Sequence, residues 1–141
     1  MIRFGASGYS YEDWIGPFSP DSLEKRDFLS YYAGRFDAVE VDSTYYRIPP
    51  PSMFEAIAGK VPDHFKFCVK TPSTFTHARG KLQDTVEAFR KSVAPLIGRG
   101  LLGCFLAQFP YSFTLRFTLT IRTQHLAFLF ARNSWLHNCS N

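Results

Sequence analysis

A carboxylate, an ammonium and an imidazole stand near the ends of short apolar runs. Glu40 lies between Val39 and Val41, Lys70 closes the run from Phe65, and His77 follows in a polar loop. These types can do acid–base work or hold a polar or anionic group. Further candidate ligand contacts lie just after such runs: Tyr9 and Trp14; Asp42, Thr44 and Tyr45; and Gln108. They meet only if the runs are parallel strands, because the loops after the carboxyl ends then share one face. Glu40, Lys70 and His77 are therefore the candidate catalytic residues. Glu40 would be base or ligand orienter, Lys70 and His77 would hold polar or anionic groups, and Tyr45 and Trp14 would shape the pocket.

Each residue also has an ordinary reading. Glu40 and Lys70 can form a structural ion pair, and the Asp42 side chain can bond loop N–H groups. His77 can be a plain surface residue. Trp14, Tyr45 and Tyr46 can close a barrel mouth as packing. No HxxxH, GxxxxGK or CxxC spacing occurs, so no metal, P-loop or other cofactor motif is found and the cofactor is unknown. Cys68, Cys104 and Cys139 fit no metal spacing. Cys68 and Cys104 sit in apolar runs, where Cys is usually a small core residue.

The elements that must position these residues alternate. Ile2–Ala6 is a strand running into the turn Ser7-Gly8-Tyr9. Asp21 or Ser22 is expected to cap a helix through about Ala33, with Gly34 as its stop. Ala38–Val41 is the second strand. Asp42–Pro51 is a loop, and Ser52 with Glu55 reads as a capping box for a short helix ending near Gly59. Phe65–Val69 is the third strand, and Lys70–Gly80 a loop. Leu82 to about Ala94 is an amphipathic helix carrying Val86, Phe89 and Val93, and Leu101–Ala107 is the fourth strand. Such β/α units imply a mostly parallel sheet. Strands without polar alternation suit a sheet covered on both faces or a barrel wall, where Glu40 would face the lumen.

Composition narrows the class. The 141 residues are 45% hydrophobic and 20% charged, enough for one packed domain. No apolar run is long enough to span a bilayer, so no membrane partner is expected. The N-terminus lacks a signal-peptide layout and the Cys count is odd, which reads as cytoplasmic. The net charge of +4 is uneven. Arg116, Arg122 and Arg132 lie in a stretch without Asp or Glu, and the body before it is nearly neutral. That is weak support for a nucleic-acid partner.

Residues 1–113 resemble the YecE-like family, also called domain of unknown function 72. The matching segments are Gly5-Ala6-Ser7-Gly8-Tyr9 with Trp14 to Phe18, and Val39 to Tyr46 with Pro49. They continue with Phe65 to Lys70 and Thr76-His77, then Leu101 to Gln108 with Phe109-Pro110 and Ser112-Phe113. The resemblance implies a TIM-type (β/α) barrel, of which this chain would hold about four of eight units. Its pattern carries onto Glu40, Thr44, Tyr45, Lys70, His77 and Gln108, while Asp42 stands where the family commonly has Asn. No reaction follows, because the family's activity is not established.

After Phe113 the expected pattern stops. Phe113 to Arg122 alternates apolar and polar residues with a period of two, an edge-strand signal. Residues 114–141 are thus expected to be a divergent tail, frameshifted or poorly ordered, on a truncated barrel. Open sheet edges would favour self-association. The expected function is that of an uncharacterised barrel that binds or transforms a polar, sugar- or phosphate-like small molecule. The alternatives are a nucleic-acid-binding barrel and a non-functional fragment.

Overall fold

A computed structural model of the chain describes residues 2–77 and 82–109. Four parallel strands form one sheet in chain order: β1 (Gly5–Ser7), β2 (Ala38–Val41), β3 (Lys66–Lys70) and β4 (Leu102–Leu106). Helix α1 (Phe28–Ala33) joins β1 to β2, and α2 (Pro51–Ala58) joins β2 to β3. A single turn, α3 (Ser73–Thr76), and the long α4 (Leu82–Gly98) lead to β4. This is an α/β, TIM-type arrangement with about four of eight β/α units. The expected Phe113–Arg122 strand and the tail from residue 114 lie outside the described residues.

Burial sorts the two faces of the sheet. Val39 and Val41 of β2 and Phe67 and Val69 of β3 are buried, while Glu40, Lys66, Cys68 and Lys70 between them are half-buried. β2 and β3 thus alternate, while β4 is half-buried throughout, which fits the barrel-wall reading rather than a sheet covered equally on both faces. The buried face packs on the helices through Tyr32, Phe54, Phe65, Phe89 and Leu96, all fully buried. The other face holds the half-buried polar residues. No helix among the described residues is long and apolar enough to cross a membrane.

Several boundaries differ from the sequence reading, for physical reasons. β1 is Gly5–Ser7, not Ile2–Ala6: Ile2 and Phe4 are exposed, and the Phe4 carbonyl accepts from the N–H groups of Asp37 and Ala38. The first helix is not capped by Asp21 or Ser22. A turn closed by the Leu23 N–H on the Pro20 carbonyl and a 3₁₀ turn at Lys25–Asp27 precede it, because only Phe28, Leu29, Tyr32 and Ala33 have a core to face. Ser52 caps nothing. α2 starts with Pro51 at its first position, where the missing N–H needs no partner, and Pro50 stands before it. The expected loop after Lys70 contains the α3 turn. α4 runs on through Pro95 to Gly98, since burial of Leu96 beside Phe89 and Val93 outweighs the one backbone bond that Pro95 cannot make.

Tyr32 ties the first unit together. Its hydroxyl donates to the Ala38 carbonyl at 2.9 Å and accepts the Ala6 N–H at 2.6 Å, bridging β1 and β2. Its ring stacks on Phe36 and Trp14 and meets Phe65 edge-on. Burial raises the phenol pKa of Tyr32, against the opposing effect of the Ala6 N–H, and burial alone raises that of Tyr9. Both phenols are therefore neutral in the fold and ionise more easily in the unfolded chain. Their contribution to stability is complete below the unfolded value of about pH 10 and is lost as pH rises through the folded values. Spectrophotometric tyrosine titration should show these two phenols ionising together with alkaline unfolding. Smooth titration of all seven tyrosines ahead of unfolding would contradict this.

Candidate functional site

The carboxyl ends of β2 and β3 bring three side chains together. After β2 the chain makes a 3₁₀ turn, Ser43–Tyr45, closed by the Tyr45 N–H on the Asp42 carbonyl. This turn carries Tyr45 toward β3, where the Lys70 ammonium lies 5.1 Å from the Tyr45 ring centroid. The α3 turn then brings His77 back. Its Nδ1 is 3.2 Å from the Tyr45 hydroxyl and 2.8 Å from Thr76 Oγ1, and the two rings meet edge to face. The His77 N–H donates to the Ser73 carbonyl, which fixes the turn. A cation, a phenol and an imidazole thus share one partly exposed corner, which can donate to or orient a polar or anionic group.

Glu40 lies one layer deeper. It pairs in register with Ser7 of β1 and Cys68 of β3, and Cys68 pairs with Cys104 of β4. Lys70 is two residues beyond Cys68, on the same face. None of the ion pairs among the described residues joins Glu40 to Lys70. The structural-pair reading of these two therefore does not hold, and both side chains lie on the half-buried face.

The remaining candidates separate. Thr44 is fully buried, and its hydroxyl faces the carbonyls of Val41 and Lys70, so it holds the β2 end against the β3 end. Asp42 is exposed and its side chain makes no cap to the turn that follows, contrary to the loop-bonding reading. Gln108 is exposed, beyond the end of β4. Trp14 and Tyr9 lie apart from the Lys70 corner. Trp14 packs between Tyr11, Phe18 and Tyr32, and with Tyr9 it walls a shallow aromatic hollow beside α1. The packing reading fits Trp14, whereas Tyr45 stands at the corner itself.

Sequence reasoning missed the thiols. Cys68 is not core filler: it shares the Lys66–Lys70 face of β3, as its alternation with buried Phe67 and Val69 indicates. Thr76 was missed as well, because nothing in a polar loop announces a helical turn.

The profile of the family described as Protein of unknown function DUF72 matches residues 3–134. The chain belongs to the DUF72 family. The match runs past Phe113, where the resemblance was expected to end. Among DUF72 relatives, the UPF0759 protein YunF of Bacillus subtilis is 32% identical over 116 residues, covering 78% of this chain and 40% of its own length. The UPF0759 protein YecE of Escherichia coli is 31% identical over 115 residues, covering 80% of this chain and 39% of its own. A DUF72 family protein from Enterococcus faecalis superposes with a TM-score of 0.77 at 30% identity, over 94% of this chain and 48% of that one. One from Thermotoga maritima gives 0.75 at 36% identity, over 89% and 51%. The chain thus spans about two fifths of these curated relatives and about half of these solved chains.

Proposed function

We propose that the carboxyl-end face binds a small polar molecule bearing a phosphate- or sugar-like group, as part of a larger DUF72 barrel. The observation that carries this is the Lys70–Tyr45–His77 corner above Glu40. Lys70 supplies positive charge, Tyr45 and His77 supply hydrogen bonds, and Glu40 accepts from a hydroxyl or acts as base. In a parallel β/α sheet this face is where ligands bind. Whether binding leads to reaction depends on groups from the other β/α units.

Isothermal titration of this chain and of an intact relative with inorganic phosphate and a sugar phosphate tests the reading. A charge-assisted hydrogen bond contributes about 1.5–3 kcal/mol. Lys70→Ala is thus expected to weaken phosphate binding by about tenfold to a hundredfold. Glu40→Gln should weaken the sugar phosphate more than inorganic phosphate. Unchanged binding in both variants would sink the proposal. Salt-dependent binding of single-stranded DNA that survives Lys70→Ala would instead favour the nucleic-acid alternative.

A further inference from the structure

The half-buried face carries a second chemical feature, below the Lys70 corner. The Sγ atoms of Cys68 and Cys104 lie 2.9 Å apart, within hydrogen-bonding distance. Both side chains are half-buried thiols. They come from neighbouring parallel strands and are direct register partners.

That placement depends on a bulge. Between Phe67 and Cys68 the β3–β4 register shifts: Leu102 stands opposite Phe67, and Cys104 opposite Cys68. Gly103 is the extra residue. Leu102 and Phe105 can then both pack against the core although they are three apart, and Cys104 turns to the opposite face. Gly103 also permits a close approach, since a Cβ there would sit 3.0 Å from the Lys66 Cβ. In unbroken alternation Cys104 would share the side of Leu102, away from Cys68.

The geometry points to an oxidation site: Cys68 and Cys104 form a cross-strand disulfide by exchange with a low-molecular-weight disulfide. Neighbouring strands lie about 4.7–4.9 Å apart. Disulfides bridge Cα separations of about 4.4–6.8 Å. No strand has to move to bring the partners into range. The hydrogen bond with Cys68 lowers the Cys104 pKa, outweighing burial and the repulsion of the Glu40 carboxylate. With the Cys68 S–H turned to donate across the 2.9 Å contact, Cys104 is the thiolate that attacks first. It displaces one thiolate from the small disulfide, forming a mixed disulfide and giving its proton to solvent. Cys68, once deprotonated, attacks the Cys104 sulfur and expels the second thiolate. The protein loses two hydrogens, and the small disulfide is reduced to two thiols. The cross-link lies beside Glu40, one layer below Lys70, and its formation does not require a ligand at the Lys70 corner.

The test uses the full chain. Reduced protein is treated with oxidised glutathione at neutral pH, capped with N-ethylmaleimide and digested with trypsin. The peptide 67–70 should appear joined to the peptide 100–116, two hydrogens lighter than the pair, and in monomeric protein only. Linking should be about tenfold or more faster than in denaturant, because the fold holds the thiols together. In Cys68→Ser the resolving thiol is gone, so Cys104 should retain glutathione. In Cys104→Ser, Cys68 should be found mainly as the maleimide adduct. Maleimide on both Cys68 and Cys104 of the treated wild-type chain would overturn the proposal, as would linking no faster than in denaturant. The wild-type comparison needs neither variant to fold.

Discussion

Tyr32→Ala is expected to cost about 5 kcal/mol or more, near the whole stability of an ordinary domain. Truncating a fully buried aromatic costs about 3–5 kcal/mol. The Tyr32 ring is fully buried and stacks at 4.6 Å on Phe36, with Trp14 and Phe65 on its other sides. Its removal also strips the Ala6 N–H and the Ala38 carbonyl of their shared hydroxyl. Leaving a buried polar group without its partner costs about 1–3 kcal/mol. Small domains have only about 5–15 kcal/mol in total. Tyr32→Phe separates the two effects, since it keeps the ring and removes only the bridge. Urea unfolding followed by circular dichroism should give about 1–3 kcal/mol for Phe and the full loss for Ala. A neutral Tyr32→Phe would show that the hydroxyl does not join β1 to β2.

The parallel strand order was legible because β2, β3 and β4 are short apolar runs separated by helix-length segments. Boundaries were legible only where burial agreed with local chemistry. Ser52 and Glu55 have capping-box spacing, yet Pro51 begins α2 one residue earlier. Pro95 reads as a stop, yet the buried Leu96 carries the helix past it. Asp21 and Ser22 are good caps in isolation, but nothing apolar lies between them and Phe28 to fill a helix face except the half-buried Leu23. In each case tertiary burial decided the boundary, and a local signal cannot report it.

The candidate site was legible in its strand-borne members. The alternation of Glu40 with Val39 and Val41 places its carboxylate on the face away from the helices, and the same parity holds for Lys70. The loop-borne members were harder. Thr44 and Tyr45 are adjacent in the chain, but the 3₁₀ turn buries one against two carbonyls and presents the other to Lys70 and His77. Cys104 was illegible because the Gly103 bulge breaks the very alternation on which such a reading depends.

Gly5→Ala is expected to cost about 3 kcal/mol or more and to detach β1 from the sheet. Gly5 is the register partner of Ala38, and a Cβ at Gly5 would overlap the Ala38 carbonyl, with the Tyr32 hydroxyl at 3.3 Å behind it. Ordinary overpacking costs about 1–3 kcal/mol because side chains give way. Here the obstacle is backbone, and the Ala38 oxygen is already held by the Tyr32 hydroxyl. The methyl fits only if β1 moves away from β2. The Ala6–Tyr32 bond and the Gly8 N–H bond to the Glu40 carbonyl would go with it. Loss of pairing would be local, since β3 and β4 are joined by their own bonds, among them Phe67 N–H to Leu101 and Thr71 N–H to Leu106. Amide hydrogen exchange should therefore show Ala6 and Gly8 deprotected in Gly5→Ala while Phe67 and Thr71 keep their protection. Tolerance of the methyl at under about 1 kcal/mol, with Ala6 and Gly8 still protected, would mean that β1 and β2 are not packed as closely as the Tyr32 bridge requires.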